Sequence, residues 1–120
     1  MEGMSLSARK IFWKCCNMTI KELTVLSEAQ VRDVVGLMYE LDSEIEETSA
    51  LLSRTLESDA SHFFAITEED GHIIGCATLC VYDSPTGPKA SLEDVVVGSR
   101  YRGSKPIGRV GRGVLVGVCW

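Results

Sequence analysis

The spacing of apolar residues changes along the chain, and each change predicts a different element. A short apolar run over residues 18–26 predicts a first strand. Apolar residues then recur at helical spacing over residues 31–41, after a serine, Ser27, that stands three residues before Gln30 as in a capping box. Residues 44–56 place further apolar positions among acids and predict a second, interrupted helix with a solvated acidic face.

The second half of the chain has the pattern of three consecutive strands. Residues 62–67 and 72–81 are β-rich runs on either side of Asp70-Gly71, a strong turn signal, and they predict a hairpin. Residues 83–89 contain two prolines and a glycine and predict a loop, after which residues 90–97 predict a strand. The predicted fold class is therefore α+β: a strand, two helices and an antiparallel three-stranded meander.

The length and hydrophobic content of the chain predict one modest domain, and its charge is unevenly distributed. The chain has 120 residues, of which 45% are hydrophobic, and we assign the domain to residues 18–109. Residues 1–17 are expected to form a flexible extension and residues 110–120 an atypical tail rich in glycine and valine. The net charge is -5, yet residues 98–120 carry five basic residues and no acid. That basic end suits an anionic ligand.

The cysteines and the apolar segments bear on compartment. Five cysteines without a C-x-x-C pair predict a reduced, cytoplasmic protein. No run of about eighteen apolar residues is present, so we expect neither a membrane span nor a secretory signal, although the basic residues 1–17 leave a targeting segment as an alternative. His62 and His72 lack metal-ligand spacing, so no metal site is predicted.

One segment resembles a known family. Residues 91–97, with the sequence Ser-Leu-Glu-Asp-Val-Val-Val, are followed by Tyr101-Arg102-Gly103 and by Ile107-Gly108-Arg109. This succession resembles the central signature of the GNAT superfamily of N-acetyltransferases. Its residues are most similar to those of the glucosamine-phosphate acetyltransferase branch. The resemblance implies the GNAT-like acyl-CoA N-acyltransferase fold and transfer of an acetyl group from acetyl-CoA to a primary amine of a small molecule or protein.

The resemblance also implies roles for individual residues. In the family the signature strand bulges and pairs with pantetheine, and a Gly-rich turn at a helix start holds the pyrophosphate through backbone amides. Adjacent strand residues face opposite sides, so only one of Glu93 and Asp94 is expected to face a bound amine, and Glu93 is our candidate general base. The cofactor-binding residues implied are Val95, Val96, Val97, Arg102, Gly103, Ser104, Lys105, Ile107 and Gly108.

Departures from the family pattern keep other functions open. The loop over residues 102–108 is one residue longer than in the family, and Pro106 lacks an amide proton. After this loop the family continues with a long helix and then a strand, a helix and a hairpin, whereas residues 110–120 are rich in glycine and valine. We therefore expect residues 110–120 to result from truncation, altered splicing or a shifted reading frame. The alternative is a catalytically inactive remnant that acts as a binding module, whose exposed sheet edge would allow it to form a homodimer.

A third reading is a small module that binds phosphate or nucleic acid through its basic end. Tyr101 is the one aromatic residue among the basic residues 100–112, and the rest of the chain is acidic, so the pattern does not favour nucleic acid. The sequence does not identify the amine acceptor, because the fold does not determine the substrate.

Overall fold

The computed structural model describes residues 13–15 and 18–101, and it contains a single five-stranded sheet. Every neighbouring pair of strands is antiparallel, and the spatial order of the strands is their order along the chain. The elements are β1 (Trp13–Cys15), β2 (Met18–Glu22), α1 (Glu28–Leu41), α2 (Thr48–Glu57), β3 (Ser61–Glu68), β4 (Ile73–Ser84), β5 (Gly87–Val97) and a 3₁₀ turn (Ser99–Tyr101).

The predicted α+β order of strand, two helices and three-stranded meander is confirmed. The start of α1 is the predicted capping box: the Gln30 amide donates to Ser27 Oγ, and the Ser27 amide donates to Gln30 Oε1, each over 3.1 Å. These bonds satisfy amides that a helix start otherwise leaves unpaired. The Gln30 side chain also donates to the carbonyl of Gly71, which ties the helix start to the β3–β4 turn.

Both helices pack on one face of the sheet, which we call the helix side. Their buried residues Val34, Leu37 and Leu52 meet a row of buried sheet residues there. The sheet contributes Phe63, Ala65, Ile73, Cys76 and Val96 to this cluster. The apolar stripe of each helix therefore explains its position, because burial of such side chains is the main favourable contribution to folding.

The opposite face of the sheet carries a second apolar cluster. Its buried members are Ile20, Phe64, Ile66, Ile74 and Leu79, and Leu92, Val97 and Tyr101 pack against them. Apolar residues on both faces account for the nearly continuous burial of β3, where all five residues from Phe63 to Thr67 are buried. A central strand of this kind has no polar side, so its sequence does not alternate.

Several elements differ in extent from the sequence predictions. A short strand, β1, pairs with β2 inside the expected N-terminal extension, and the other residues of that extension lie outside the described residues. The first predicted strand ends at Glu22 rather than at residue 26, and α2 begins at Thr48 rather than at residue 44. The tail over residues 110–120 also lies outside the described residues.

The predicted loop over residues 83–89 is instead the tip of a hairpin. β4 continues to Ser84 and β5 begins at Gly87, so Pro85 and Thr86 alone form the turn. Ser84 Oγ donates to the Gly87 carbonyl over 3.0 Å and accepts from the Thr86 amide, which closes the turn locally. Gly87 has a φ of 123°, a value that residues with a side chain rarely adopt.

Candidate functional site

A bulge interrupts β5 in the middle of the signature segment. Cys76 of β4 lies opposite Val96 and Thr78 lies opposite Glu93, so two residues of β5, Asp94 and Val95, share the single position opposite the residue between them. Asp94 has a φ of 51°, in the left-handed region that aspartate tolerates better than most residues. The extra residue bends the strand locally and redirects its side chains.

The bulge changes which way the two signature carboxylates point. Directly paired residues of antiparallel strands share a face, so Glu93 lies on the same side of the sheet as Thr78. Thr78 and Asp94 both line a cavity on the helix side. The expectation that the neighbours Glu93 and Asp94 face opposite sides is therefore wrong, because the bulge breaks the alternation between them.

This cavity, which we call the helix-side cavity, has a volume of about 100 Å³ and lies between the two helices and the sheet. Among the described residues that form its wall, apolar side chains and threonines predominate, and Asp94 is the one ionisable group. The lining residues are Val34, Met38, Ile45, Thr48, Leu51, Leu52, Thr55, Phe63, Thr78 and Asp94. An apolar recess whose wall includes a carboxylate suits an apolar ligand that carries a positive or proton-donating group.

Next to Asp94, β4 buries a thiol. Burial, reinforced by the negative charge of Asp94, raises the pKa of Cys76 to about 12. The thiol is therefore neutral at ordinary pH and packs in the helix-side cluster as a small apolar group. Cys76 and Cys80 are both free.

In the described residues β5 is the edge of the sheet on the side of the signature. Val96 is buried on the helix side, whereas Val95 is exposed and Val97 packs against the opposite cluster. The backbone of an edge strand presents groups that have no strand beside them, which is how an extended ligand can be bound. The structure thus places all three candidate valines at one edge.

The segment that follows β5 is held firmly where the predicted phosphate loop begins. The Gly98 amide donates to the Ile74 carbonyl over 2.8 Å, and the Ser99 amide donates to Glu40 Oε1 over 3.0 Å. The Tyr101 hydroxyl donates to Glu68 Oε1 over 3.3 Å. Residues 102–108, which include all six loop candidates, lie outside the described residues.

Beside this turn lies a larger, open cavity of about 400 Å³ between α1, the start of β4 and the 3₁₀ turn. Arg32, Arg100 and His72 line it together with three carboxylates, those of Asp33, Glu40 and Glu68. Its charges of both signs nearly balance, so we assign it no ligand.

The two histidines each pair with a carboxylate. His62 Nδ1 lies 2.8 Å from Glu22 Oε2, and the Glu22 side chain is only 4% exposed. The other oxygen of Glu22 is buried and has no hydrogen-bond partner among the residues that the structure describes. His72 Nδ1 lies 3.1 Å from both oxygens of Asp33. Across residues 19–101, no three metal-binding side chains converge.

The His72 pair predicts a dependence of stability on pH. Its bond to Asp33 and the charges of Asp33, Asp70 and Glu68 raise the pKa of His72 above its ordinary value of 6.5. Because the folded pKa is raised, the stabilisation is complete below about pH 6.5 and is lost as the pH rises through the folded value. We expect Asp33→Asn to return the His72 pKa toward 6.5 in an NMR titration, whereas Asp59→Asn leaves it unchanged. Titration of His72 at or below 6.5 in the unchanged protein would contradict this.

Asp94 and Thr78 were not among the candidates drawn from the sequence. The signal that could have pointed to Asp94 is its place beside Glu93 in a segment expected to bulge. Thr78 carries no sequence signal, because only the strand register brings it beside Asp94.

A further observation concerns membranes: none of the described helices has the length and apolar character needed to span one.

Comparison with known proteins indicates the family of the chain. The family model of the acetyltransferase (GNAT) family matches residues 26–105. An amino-acid acetyltransferase of Vibrio atlanticus (strain LGP32) is 36% identical over 77 residues, which are 62% of this chain and 17% of that protein. The chain thus spans less than a fifth of the length of this relative.

Solved structures show the same fold. The aminoglycoside 6'-N-acetyltransferase AAC(6')-Ih of Acinetobacter baumannii superposes with a TM-score of 0.62 at 19% identity, covering 82% of this chain and 69% of that one. A glucosamine N-acetyltransferase region of a fungal multi-domain GH3 β-N-acetylglucosaminidase gives a TM-score of 0.67 at 9% identity, covering 87% and 12%. The family match, which includes the bulged strand and both helices, identifies the chain as a member of the GNAT acetyltransferase family.

Proposed function

We propose that this chain binds acetyl-CoA along the outer edge of β5 and transfers its acetyl group to a primary amine. The observation that carries the proposal is the bulge at Asp94 and Val95, which lies at the edge of the sheet and beside the helix-side cavity. An edge for an extended cofactor and a recess for an acceptor therefore meet at one point of the strand. Family membership supports the same reaction.

Two carboxylates at the bulge supply the proton acceptor that the reaction needs. An amine attacks a thioester only after it has lost a proton, so a base or a chain of water molecules must take that proton. Asp94 lines the recess and Glu93 lies on the same side, next to it. We therefore propose Asp94 as a general base beside the earlier candidate Glu93, with the other carboxylate attracting the ammonium form.

Backbone groups supply the rest of the site. Val95, Val96 and Val97 are proposed to pair with the pantetheine arm, and a backbone amide of this strand is proposed to stabilise the negative charge that develops on the thioester oxygen. Arg102, Gly103, Ser104, Lys105, Ile107 and Gly108 are proposed to surround the pyrophosphate, where converging amides and basic side chains suit its charge. The anchored 3₁₀ turn supports this, because it fixes where that loop starts.

The names of the matched proteins support a primary amine as the acceptor. The matched proteins act, by their names, on an amino acid, an aminoglycoside and glucosamine, and all three acceptors are amines. Transfer to a primary amine is the statement common to them. A reducing, cytoplasmic setting is proposed from the free cysteines.

The test of the proposed function is a calorimetric titration of the 120-residue chain with acetyl-CoA. We expect saturable binding, and we expect Arg102→Ala to weaken it about tenfold by removing one charged contact to a phosphate. Arg54→Ala on α2 removes an equal charge away from β5 and should leave the affinity unchanged. Equal losses in both variants would mean that the effect is not specific to the loop.

The same titration distinguishes the alternative function. A non-catalytic module would be folded but would not bind acetyl-CoA. Its exposed β5 edge would then favour pairing with a second copy, which sedimentation at several protein concentrations would reveal. Monomeric protein that binds and turns over acetyl-CoA would exclude this alternative.

A further inference from the structure

We infer that the acceptor is a small primary alkylamine that carries no carboxylate, an inference that rests on the proposed function. The helix-side cavity adjoins the bulge where the reacting nitrogen would lie, so its wall should select the remainder of the acceptor. Three properties of that wall lead to this class: its charge, its polarity and its size.

The charge of the wall excludes an α-amino acid as the preferred acceptor. Among the ten described residues that line the cavity, Asp94 is the one ionisable group, and none is a lysine, arginine or histidine. Glu93 adds a second negative charge on the same side of the strand. A ligand carboxylate would enter beside these two exposed carboxylates, and no cation among the described lining residues would offset their repulsion. An ammonium group would be attracted instead.

The connection between the helices strengthens this charge preference. Ile45 lines the cavity, and it lies in a connection that also carries Asp42, Glu44, Glu46 and Glu47. All four acids are exposed. They do not form the site, but their field would favour the approach of cations and disfavour the approach of anions.

Polarity and size restrict the carbon chain. Six of the ten lining residues are apolar, and the hydroxyl of Thr55 already donates to the Leu51 carbonyl over 2.9 Å. A cavity of about 150 Å³ lined by apolar side chains accommodates benzene. The helix-side cavity, at about 100 Å³, is smaller and suits a branched or linear chain of a few carbons. Polar acceptors such as sugars would leave hydroxyl groups unpaired there.

The position of Asp94 sets the orientation of such an amine. Its carboxylate is at the bulge, so the nitrogen would lie toward β5 and the carbon chain toward α1 and α2. The ammonium group gives one proton to a carboxylate, which passes it to water. The nitrogen then forms a bond to the acetyl carbon, and the carbon–sulfur bond breaks with its electron pair on sulfur. The second proton leaves the nitrogen and neutralises the thiolate.

The deciding experiment compares leucine with isoamylamine, which is leucine without its carboxylate. Release of free CoA by the 120-residue chain and acetyl-CoA is measured with each amine. We expect kcat/KM for isoamylamine to exceed that for leucine by about tenfold or more. Leucinamide has the bulk of leucine but lacks the negative charge of its carboxylate, so its kcat/KM should resemble that of isoamylamine. If leucinamide is as poor as leucine, bulk rather than charge decides, and the inference is overturned.

A matched pair of variants tests the location of this selectivity. Leu51 lines the cavity and is 46% exposed, so Leu51→Arg can place a cation at its wall without a large cost to the fold. Its neighbour Ala50 is exposed and lines none of the described cavities, so Ala50→Arg adds the same charge elsewhere. We expect the preference for isoamylamine over leucine to fall about tenfold in Leu51→Arg alone.

The outcomes separate this inference from the proposed function. Equal or better turnover of leucine in the unchanged chain overturns the inference and leaves the acetyltransferase function intact. An equal shift of preference in both arginine variants would show that the charge acts from a distance, and it would overturn the assignment to this cavity. Absence of turnover with every amine would overturn the proposed function and the inference together.

Discussion

Asp94→Asn is expected to lower kcat for amine acetylation by about 10²- to 10³-fold, because it removes the carboxylate proposed to take the proton from the amine. Asparagine has nearly the same shape and tolerates the left-handed backbone at this position, where φ is 51°. The bulge should therefore persist while the proton acceptor is lost. Single-turnover measurement of acetyl transfer at saturating acetyl-CoA gives the rate directly.

Two further variants determine what an Asp94 effect means. Asp83→Asn removes a carboxylate from an exposed position near the hairpin tip and should leave kcat unchanged. Glu93→Gln tests the other carboxylate on the helix side. A larger loss in Glu93→Gln than in Asp94→Asn would transfer the role of base to Glu93. Unchanged kcat in both signature variants would contradict carboxylate catalysis at the bulge.

The largest expected effect on stability is that of Phe64→Ala, about 3–5 kcal/mol in the free energy of unfolding. Phe64 is 1% exposed and is among the largest fully buried side chains of the described core. It lies on β3 between its two neighbours β2 and β4, so the truncation leaves a cavity that the paired strands cannot readily close. Urea unfolding at constant pH, followed by circular dichroism, measures the change.

Comparison with milder changes shows whether packing is the cause. Phe64→Leu keeps most of the apolar volume and is expected to cost less than half as much as the alanine variant. Tyr82→Ala removes an aromatic ring from an exposed position of β4 and should change the free energy by no more than about 0.5 kcal/mol. A loss for Tyr82→Ala as large as that for Phe64→Ala would contradict this account of the core.

The elements that the sequence predicted well are those specified by residues close together in the chain. The start of α1 depends on Ser27 and Gln30, which are three positions apart, and the β3–β4 turn depends on Asp70-Gly71. In both cases the side chains or backbone that recognise each other belong to one turn of chain. Such signals act before any tertiary contact exists, so a pattern in the sequence is sufficient.

The hairpin tip was mispredicted because local composition conflicts with strand pairing there. Proline and glycine normally indicate a loop, yet Gly87 and Pro88 belong to β5. Pro88 lies opposite Asp83 on the edge strand, where the loss of an amide donor is tolerated. Pairing between β4 and β5 therefore extends both strands into a segment whose own composition indicates a loop.

The strand that carries the candidate residues was predicted in its position along the chain, but the direction of its side chains was not. The signature located β5 and its carboxylates, and the structure brings Glu93, Asp94 and the three valines together at one edge. The side that each carboxylate faces depends on how many residues of β5 lie opposite β4, which is a property of two strands. The same limit applies to Thr78, which joins the site only through register.

The arrangement of the sheet also has a consequence for how quickly its parts assemble. The β4–β5 hairpin joins residues as near as Ser84 and Gly87, three positions apart, whereas the contact of Glu22 with His62 spans 40 positions. Closing a longer loop costs more chain entropy, and contacts between distant residues slow folding. We therefore expect the bulged meander to form early in folding, and β2 to join it later, once the helices between them have formed.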